Sequence, residues 1–545
     1  MSFLNKETDV IVIGSGISGF AAALKCSDFS RVLLICKDKL AECNTSMAQG
    51  GVAVPVSTAD SEKLHIRDTM KTGADLSDRK AAELLAVQAR NMLKDLEALG
   101  VKFDKTNGTF DLRREGAHSV NRIVHVKGDY TGREIESVLI KAVKEKKNIK
   151  VLEREFLVDL IIRNKKCRGV YSFNRDKNNF NTHSAKAVLL ATGGIGQLYM
   201  HTSNSIVTTG DGIASAYRAG ALLMDMEFVQ FHPTALYVEK GRHSRFKHLI
   251  TETLRGEGAV LVNRNRKKFM MDYHSKAELS SRDVVSRAIF KEMQKTKTRC
   301  VFLDISNVKN FKAKFPQIAK ICRDMKVDLS GKLIPVVPTA HYFMGGIKTN
   351  LKGQTNINGL FASGEAACTG LHGANRLASN SLPEGYISSE RAALEIKEYI
   401  SKKSDKVLSC TGAKKTELNM QELKKYSSRI EDITSRLKQV MWKRAGVFRC
   451  GRTLSIGLKG VKNLDKEFTL IENKVFRSTA KHLKYDPDMV VKFFELKNML
   501  LTAKLVMKSA LKRTESRGAH YRSDYPKKND KKWKKHIAVK KAKVG

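Results

Sequence analysis

Two sets of residues in this chain carry types and spacing suited to chemistry. Gly14, Gly16 and Gly19 fit G-x-G-x-x-G directly after the apolar run Val10-Ile11-Val12-Ile13 and ahead of Phe20-Ala21-Ala22-Ala23-Leu24. In that setting the glycines allow a tight turn, a close backbone approach to a pyrophosphate and close helix–strand packing. The anion then meets unpaired N–H groups at the helix N-terminus. The second set is a recurrence of imidazole, guanidinium and hydroxyl groups. It comprises Gln230-Phe231-His232, Thr251-Glu252-Thr253, Ser280-Ser281-Arg282, His341 and Asn375-Arg376. Each taken singly is more often a structural group, and spacing alone does not bring them together.

The elements that must position these groups follow from periodicity. Val10–Ile13 reads as a buried parallel strand and Arg31–Cys36 as a second. The second ends in Lys37, where an acid often holds a ribose hydroxyl. The lysine leaves two options, contact with the adenosine or its phosphates, or exposure to solvent. Asn44-Thr45-Ser46-Met47-Ala48-Gln49-Gly50-Gly51 is a small-residue loop on which backbone can press against a flat ligand. Ala81–Leu99 and Ile135–Val143 have helical spacing. Between the latter and a further buried strand at 187–190, three segments read as strands with polar turns, forming a small antiparallel sheet. These are Val151-Leu152, Phe156–Ile162 and Arg168–Phe173. Glu115, within Arg114–Ser119, is by itself a loop acid.

The fold class expected is α/β: a doubly wound, Rossmann-like nucleotide-binding domain interrupted by an α+β capping domain and followed by a C-terminal helical bundle. The expected division is 1–225 and 343–405 for the nucleotide-binding domain, 226–342 for the cap, and 406–545 for a helical domain with a basic tail. Gln421–Lys443 and Pro487–Lys512 supply its helices.

Composition sets bounds. The 545 residues allow two to four domains. With 99 Lys+Arg against 56 Asp+Glu the formal charge is +43, yet the basic residues are spread along the chain and no nucleic-acid module is recognisable. Such a field favours a small dianionic substrate over a specific nucleic acid. Nine scattered cysteines lack zinc spacing, so no metal is expected. No run is apolar enough to span a bilayer, and the first residues lack a signal-peptide core, so a cytoplasmic location is expected.

On the glycine fingerprint and the closing motif Glu515-Ser516-Arg517-Gly518 to Asp524-Tyr525-Pro526, the chain resembles the succinate dehydrogenase/fumarate reductase flavoprotein family. Four motifs resemble its aspartate-oxidising branch: Arg114–Ser119, Thr251–Ala259, Ala277–Asp283 and Cys368–Ser381. The resemblance implies FAD contacts at Ser15, Gly16, Ile17, Ser18 and Lys37, along Asn44, Thr45, Ser46, Met47, Ala48, Gln49, Gly50 and Gly51, and at Asp211, Glu365, Ser381 and Leu382. No histidine occupies Asn44-Thr45-Ser46, where the dehydrogenases attach the cofactor, so the FAD is expected to be non-covalent. The family places a four-carbon diacid between His232, Thr251, His341 and Arg376, with Gln230 beside them and Arg282 as the proton donor and acceptor. Glu115 is the branch-specific acid expected to meet the substrate ammonium. The activity implied is oxidation of L-aspartate to iminosuccinate, with oxygen (giving hydrogen peroxide) or fumarate as electron acceptor. That is the first step of de novo NAD synthesis, with quinolinate synthase as functional partner. The alternative is a fumarate reductase or succinate dehydrogenase flavoprotein subunit.

Overall fold

Val10–Ile13, wholly buried, runs straight into Gly14, whose φ of +117° is open only to glycine at low cost. A Cβ there would lie 2.1 Å from the Ala191 carbonyl oxygen, and one at Gly19 would lie 1.8 Å from the Gly14 oxygen. These contacts let the helix Ile17–Ser27 sit directly on the strand. The computed structural model describes residues 8–238, 248–402, 418–477 and 486–541. Around Val10–Ile13 it builds a five-stranded parallel sheet in the order 360–362, 187–190, 10–13, 32–35, 149–152. All of its strands run parallel, so the α/β expectation is met.

Val151-Leu152 departs from the expected antiparallel sheet. It belongs to the edge strand Ile149–Leu152 of the parallel sheet, because Val32 to Ile35 offers it an open hydrogen-bonding edge. The antiparallel sheet is instead made by Glu155–Arg163, Lys166–Asn174 and Asn179–Ser184.

A four-stranded antiparallel sheet stands over the strand ends. Its order is Val229–Leu236, Leu333–Phe343, Val301–Asp304, Val260–Val262. The helix Arg282–Lys295 lies against its first strand, with the Ser286 hydroxyl donating to the Phe231 carbonyl at 2.8 Å. A second helix of this cap, Pro316–Asp324, has no side-chain cap of its own. Asp129, from the loop ahead of helix Thr131–Glu145, accepts its Gln317 and Ile318 N–H groups, both at 2.9 Å. A carboxylate at a helix N-terminus is stabilising. Here it also ties the cap to the nucleotide-binding layer.

At the C-terminal end, helices Ser427–Arg444, Gly451–Arg477 and Pro487–Lys512 pack together. The expected helix from Gln421 is split into Met420–Lys425 and Ser427–Arg444. The 27-residue helix Gly451–Arg477 was not among the expected elements. Its buried positions Leu454, Val461, Leu464, Phe468, Ile471 and Val475 have helical spacing. Three glycines obscure it, and Gly457 is needed for close approach: a Cβ there would lie 2.7 Å from the Arg444 Cβ. The described part of the tail is anchored at two points. Trp533 is buried, and Ala538-Val539 pairs with Leu223-Met224, next to the strand Gly346–Lys348. No described helix is long and apolar enough to cross a membrane.

Candidate active site

One cavity of about 780 Å³ runs from the glycine turn to the cap. Ser15, Gly16, Ile17, Ser18, Lys37, the whole of Asn44–Gly51, Asp211, Glu365, Ser381 and Leu382 line it. So do Glu115, His232, Thr251, Arg282, His341 and Arg376. Gln230, expected beside the diacid, is set behind the wall. It joins two of the others, since its Oε1 accepts Arg282 Nη1 at 2.8 Å and Arg376 Nε at 3.4 Å.

The nucleotide end is preformed. Helix Ile17–Ser27 starts at Gly16, which supplies no side-chain cap, and this helix N-terminus lines the cavity as an anion seat. Thr45 Oγ1 takes the Ile17 N–H at 3.0 Å, which fixes the loop 44–51 against that turn. The segment behind it is pinned to the same loop. Gly132 N–H donates to the Ala48 carbonyl at 2.9 Å and the Thr131 hydroxyl to the Gly50 carbonyl at 2.8 Å. Gln49 Oε1, in the loop that lines the cavity, is buried without a partner. An orphaned acceptor and a glycine cradle fit a flat, polar-edged dinucleotide such as FAD.

Lys37 takes neither of the two roles left open for its charge. Its ammonium donates to Asp211 Oδ2 (2.8 Å), Thr209 Oγ1 (2.6 Å) and the Val207 carbonyl (3.1 Å), and pairs with Glu495 at 2.5 Å. An ammonium has three protons, so protein groups occupy all of them. The ion pair joins the end of the second strand to helix Pro487–Lys512. Ser18 likewise turns its hydroxyl inward, to Ser363 at 2.9 Å and Ser389 at 2.7 Å. Both residues therefore offer the cavity backbone and stem, not their polar heads.

The other end is strongly cationic. Arg282 is the first residue of helix Arg282–Lys295, at the positive end of its dipole, which is an unfavourable place for a cation. Glu252 offsets this, accepting Arg282 Nε at 2.9 Å and pairing with Arg255 at 2.7 Å. Burial alone would raise the Glu252 carboxyl, but Arg282 and Arg255 hold it below the usual range. Arg376 gives Nη1–H to Ser381 Oγ (2.7 Å) and Nη2–H to His341 Nε2 (3.1 Å). Burial and the nearby Arg282 lower its guanidinium to about 10.

The imidazoles are neutral, pushed well below their ordinary pKa by burial and by Arg282. Their tautomers follow from their partners. His341 accepts at Nε2 and so carries its proton on Nδ1, which donates to Ser203 Oγ at 2.8 Å. His232 accepts the Thr234 N–H at Nδ1 (3.2 Å) and so carries its proton on Nε2. That Nε2 is buried with no partner. Register shifts on both sides of His232, next to Pro233, break the strand pairing and re-aim its ring.

Glu115 is almost fully buried and is held by hydroxyls, Ser379 at 2.5 Å, Thr253 at 3.2 Å and Thr251 at 3.5 Å. Burial and the Glu252 charge push its carboxyl up, against the pull of Arg282 and Ser379. Ser379 adopts φ +59°, a left-handed conformation strained for a serine. Sequence reasoning quoted Glu252, Arg255 and Ser379 inside motifs without assigning them a place here. Ser203 was missed altogether, having no motif around it.

Residues 9–382 match the FAD binding domain family and residues 434–545 the fumarate reductase flavoprotein C-terminal family. The chain is 39% identical over 549 residues to the chloroplastic L-aspartate oxidase of Arabidopsis thaliana, covering 96% of this chain and 82% of that protein. It is 40% identical over 551 residues to the L-aspartate oxidase of Nostoc sp., covering 98% and 93%. Among solved structures, a point-mutant form of the E. coli quinol fumarate reductase subunit FrdA superimposes with a TM-score of 0.88 at 27% identity, covering 99% of this chain and 95% of that one. Mycobacterium smegmatis Sdh1 superimposes with a TM-score of 0.81 at 31% identity, covering 98% and 94%.

Proposed function

From the premise that the chain belongs to the L-aspartate oxidases of the succinate dehydrogenase/fumarate reductase flavoprotein family, we propose that it oxidises L-aspartate to iminosuccinate with FAD as cofactor. This is the opening step of de novo NAD synthesis. The observation that carries the reading is the convergence of His232, Arg282, His341, Arg376 and Glu115 on one cavity with the glycine turn.

When bound, FAD supplies the hydride acceptor and returns the electrons to oxygen, giving hydrogen peroxide, or to fumarate. The protein's part is orientation and charge. We assign the FAD seat to the amides around Gly16, to Asn44–Gly51, and to Glu365, Ser381 and Leu382. With no histidine in Asn44–Gly51 the cofactor is held non-covalently. A denatured precipitate that stayed yellow would refute that point.

Arg376 grips one substrate carboxylate. The His232 Nε2–H, together with Thr251, takes the other, which gives the orphaned proton its acceptor. Glu115 meets the ammonium. As the α-carbon gives up its hydride the substrate nitrogen loses a proton, which Arg282 relays toward the Glu252 carboxylate that bridges it to Arg255. Excluding water from this buried corner strengthens each of these contacts.

The cationic pocket binds a diacid of either kind, so the fumarate reductase reading shares most of the site. Glu115 separates the two, because a buried carboxylate has use for an amine and none for a methylene. The deciding experiment is aerobic incubation of FAD-loaded protein with L-aspartate, with peroxide and iminosuccinate both assayed. Stoichiometric formation of both is expected; fumarate reduction by an artificial donor without peroxide from aspartate would overturn the reading. Iminosuccinate is short-lived in water, so we further propose a cytoplasmic location shared with a quinolinate synthase that consumes it.

A further inference from the structure

Arg376 is 3% exposed, and its hydrogen bonds to Ser381, His341 and Gln230 are all to neutral groups. Three of its five N–H groups are used in these bonds. A buried guanidinium with no carboxylate hydrogen-bonded to it is costly; the nearby charges of Glu365 and Glu115 do not offset its burial, since it stays below its ordinary pKa. The structure supplies a ring. The Arg376 Cζ lies 4.3 Å from the centroid of Tyr342.

Tyr342 is itself tightly held. Its hydroxyl donates to Glu384 Oε2 at 2.7 Å, and the same oxygen pairs with His372 Nε2 at 2.7 Å. The Tyr342 and His372 rings meet edge to face at 5.2 Å. All three residues are buried. Burial alone would raise the Glu384 carboxyl, but His372 and the Tyr342 hydroxyl bring it below the usual range, so it is ionised. A phenol that donates to a carboxylate has a more electron-rich ring, and such a ring attracts a cation more strongly.

We propose that Tyr342 is a positioning residue for the diacid: its ring face, aimed by Glu384 and His372, holds the Arg376 guanidinium in the plane in which its free N–H groups meet a substrate carboxylate. The proposal rests on the reading of Arg376 as a carboxylate clamp. It adds that the clamp's geometry is set through Tyr342 by Glu384 and His372, neither of which lines the cavity. The effect belongs to binding, common to every dicarboxylate, and not to the chemical step.

The test uses FAD-loaded protein and two probes. Succinate affinity is titrated from the change in flavin absorbance, and KM and kcat are measured with L-aspartate. Tyr342→Leu is expected to raise the succinate Kd and the aspartate KM together, by about 10- to 30-fold, the scale of a desolvated cation–π contact. Its kcat should stay within about threefold, because Arg282 is untouched. Tyr342→Phe keeps the ring and loses the polarising bond, so about a threefold rise is expected, and the same for Glu384→Gln. Unchanged affinity in Tyr342→Leu would overturn the proposal, as would a loss in Tyr342→Phe equal to that in Tyr342→Leu. If the leucine variant does not retain FAD, the other two decide: wild-type succinate affinity in both overturns it. A wild-type protein that neither binds succinate nor oxidises aspartate would instead overturn the functional reading on which the proposal stands.

Discussion

Two clusters of buried arginines flank the cap, and they are built on opposite plans. In the C-terminal cluster Arg513, Arg517 and Arg522 are matched by carboxylates, while Arg449 bonds only carbonyls and His520. Arg513 bonds Glu227 at 2.6 Å and Glu515 at 3.0 Å. Arg517 bonds Glu515 at 2.7 Å and Asp530 at 2.5 Å, and Arg522 holds both oxygens of Asp524 at 2.8 Å. At the cavity, Arg255 and Arg282 share one oxygen of Glu252, whose other oxygen has no partner, and Arg376 hydrogen-bonds only neutral groups and lies over a ring. Both clusters sit in motifs of similar composition. The difference is completeness. Matched charges lock one segment of chain to another, whereas under the proposed function the incompletely matched ones that line the cavity meet the substrate carboxylates.

The contrast can be broken most directly at Arg282. Its replacement by leucine should lower turnover by about 10²- to 10⁴-fold, the range of a lost proton-transfer group. FAD should remain bound and thermal stability should change little, since Glu252 keeps Arg255. Steady-state rates and the flavin spectrum of the same sample check this. Near-normal turnover would remove Arg282 from its role and blur the distinction between the clusters.

The matched cluster should respond in the reverse way. Arg513→Met strips Glu227 and Glu515 of a shared cation inside the protein. Breaking a buried pair from one side costs about 3–5 kcal/mol. The expected result is a lower unfolding midpoint with the aspartate KM unchanged in the protein that remains folded. A raised KM at wild-type stability would mean that this cluster, too, acts on the site.

Much of this was legible in the chain, and the reasons are physical. A strand, a glycine turn and a helix are local, so Val10 to Leu24 announces the nucleotide-binding layer without help from the rest. The site residues could be singled out because each sits in a motif dense in groups that are expensive to bury. Their partners could not be. Gln230 links Arg282 to Arg376 across 52 and 146 residues of chain, and Lys37 meets Glu495 from the far end of the molecule. No periodicity encodes such pairings; the fold makes them. The helix Gly451–Arg477 was hidden for the opposite reason, its glycines being a local signal that packing against Arg444 and Met507 overrides. The described lysines of the basic tail are exposed, and what anchors it is Trp533, caught among Arg513, Lys532 and Lys535.

The smallest effect sharpens the contrast furthest, because it turns on charge count alone. With Glu365, which burial raises to about 7, protonated below that pH, Arg255, Arg282 and Arg376 face Glu115 and Glu252, leaving one positive charge when both of these acids are ionised. L-Aspartate brings two carboxylates and an ammonium, one net negative charge, and the site closes neutral. Succinate brings two negative charges and leaves an excess of one, unless a site acid takes a proton. Glu115 is the acid placed to do so, since burial and the Glu252 charge already raise its pKa above the usual 4.5. Binding of succinate should then carry proton uptake, and its affinity should weaken as pH rises through the Glu115 titration, by up to tenfold per pH unit. Aspartate binding should not share that slope, because the ammonium favours the ionised acid. Glu115→Gln should abolish the slope for succinate and weaken aspartate by about tenfold, the amine having lost its charged partner. Parallel pH profiles for the two ligands, or a glutamine variant with the wild-type preference, would show that Glu115 is as fully matched as Glu515 and selects nothing.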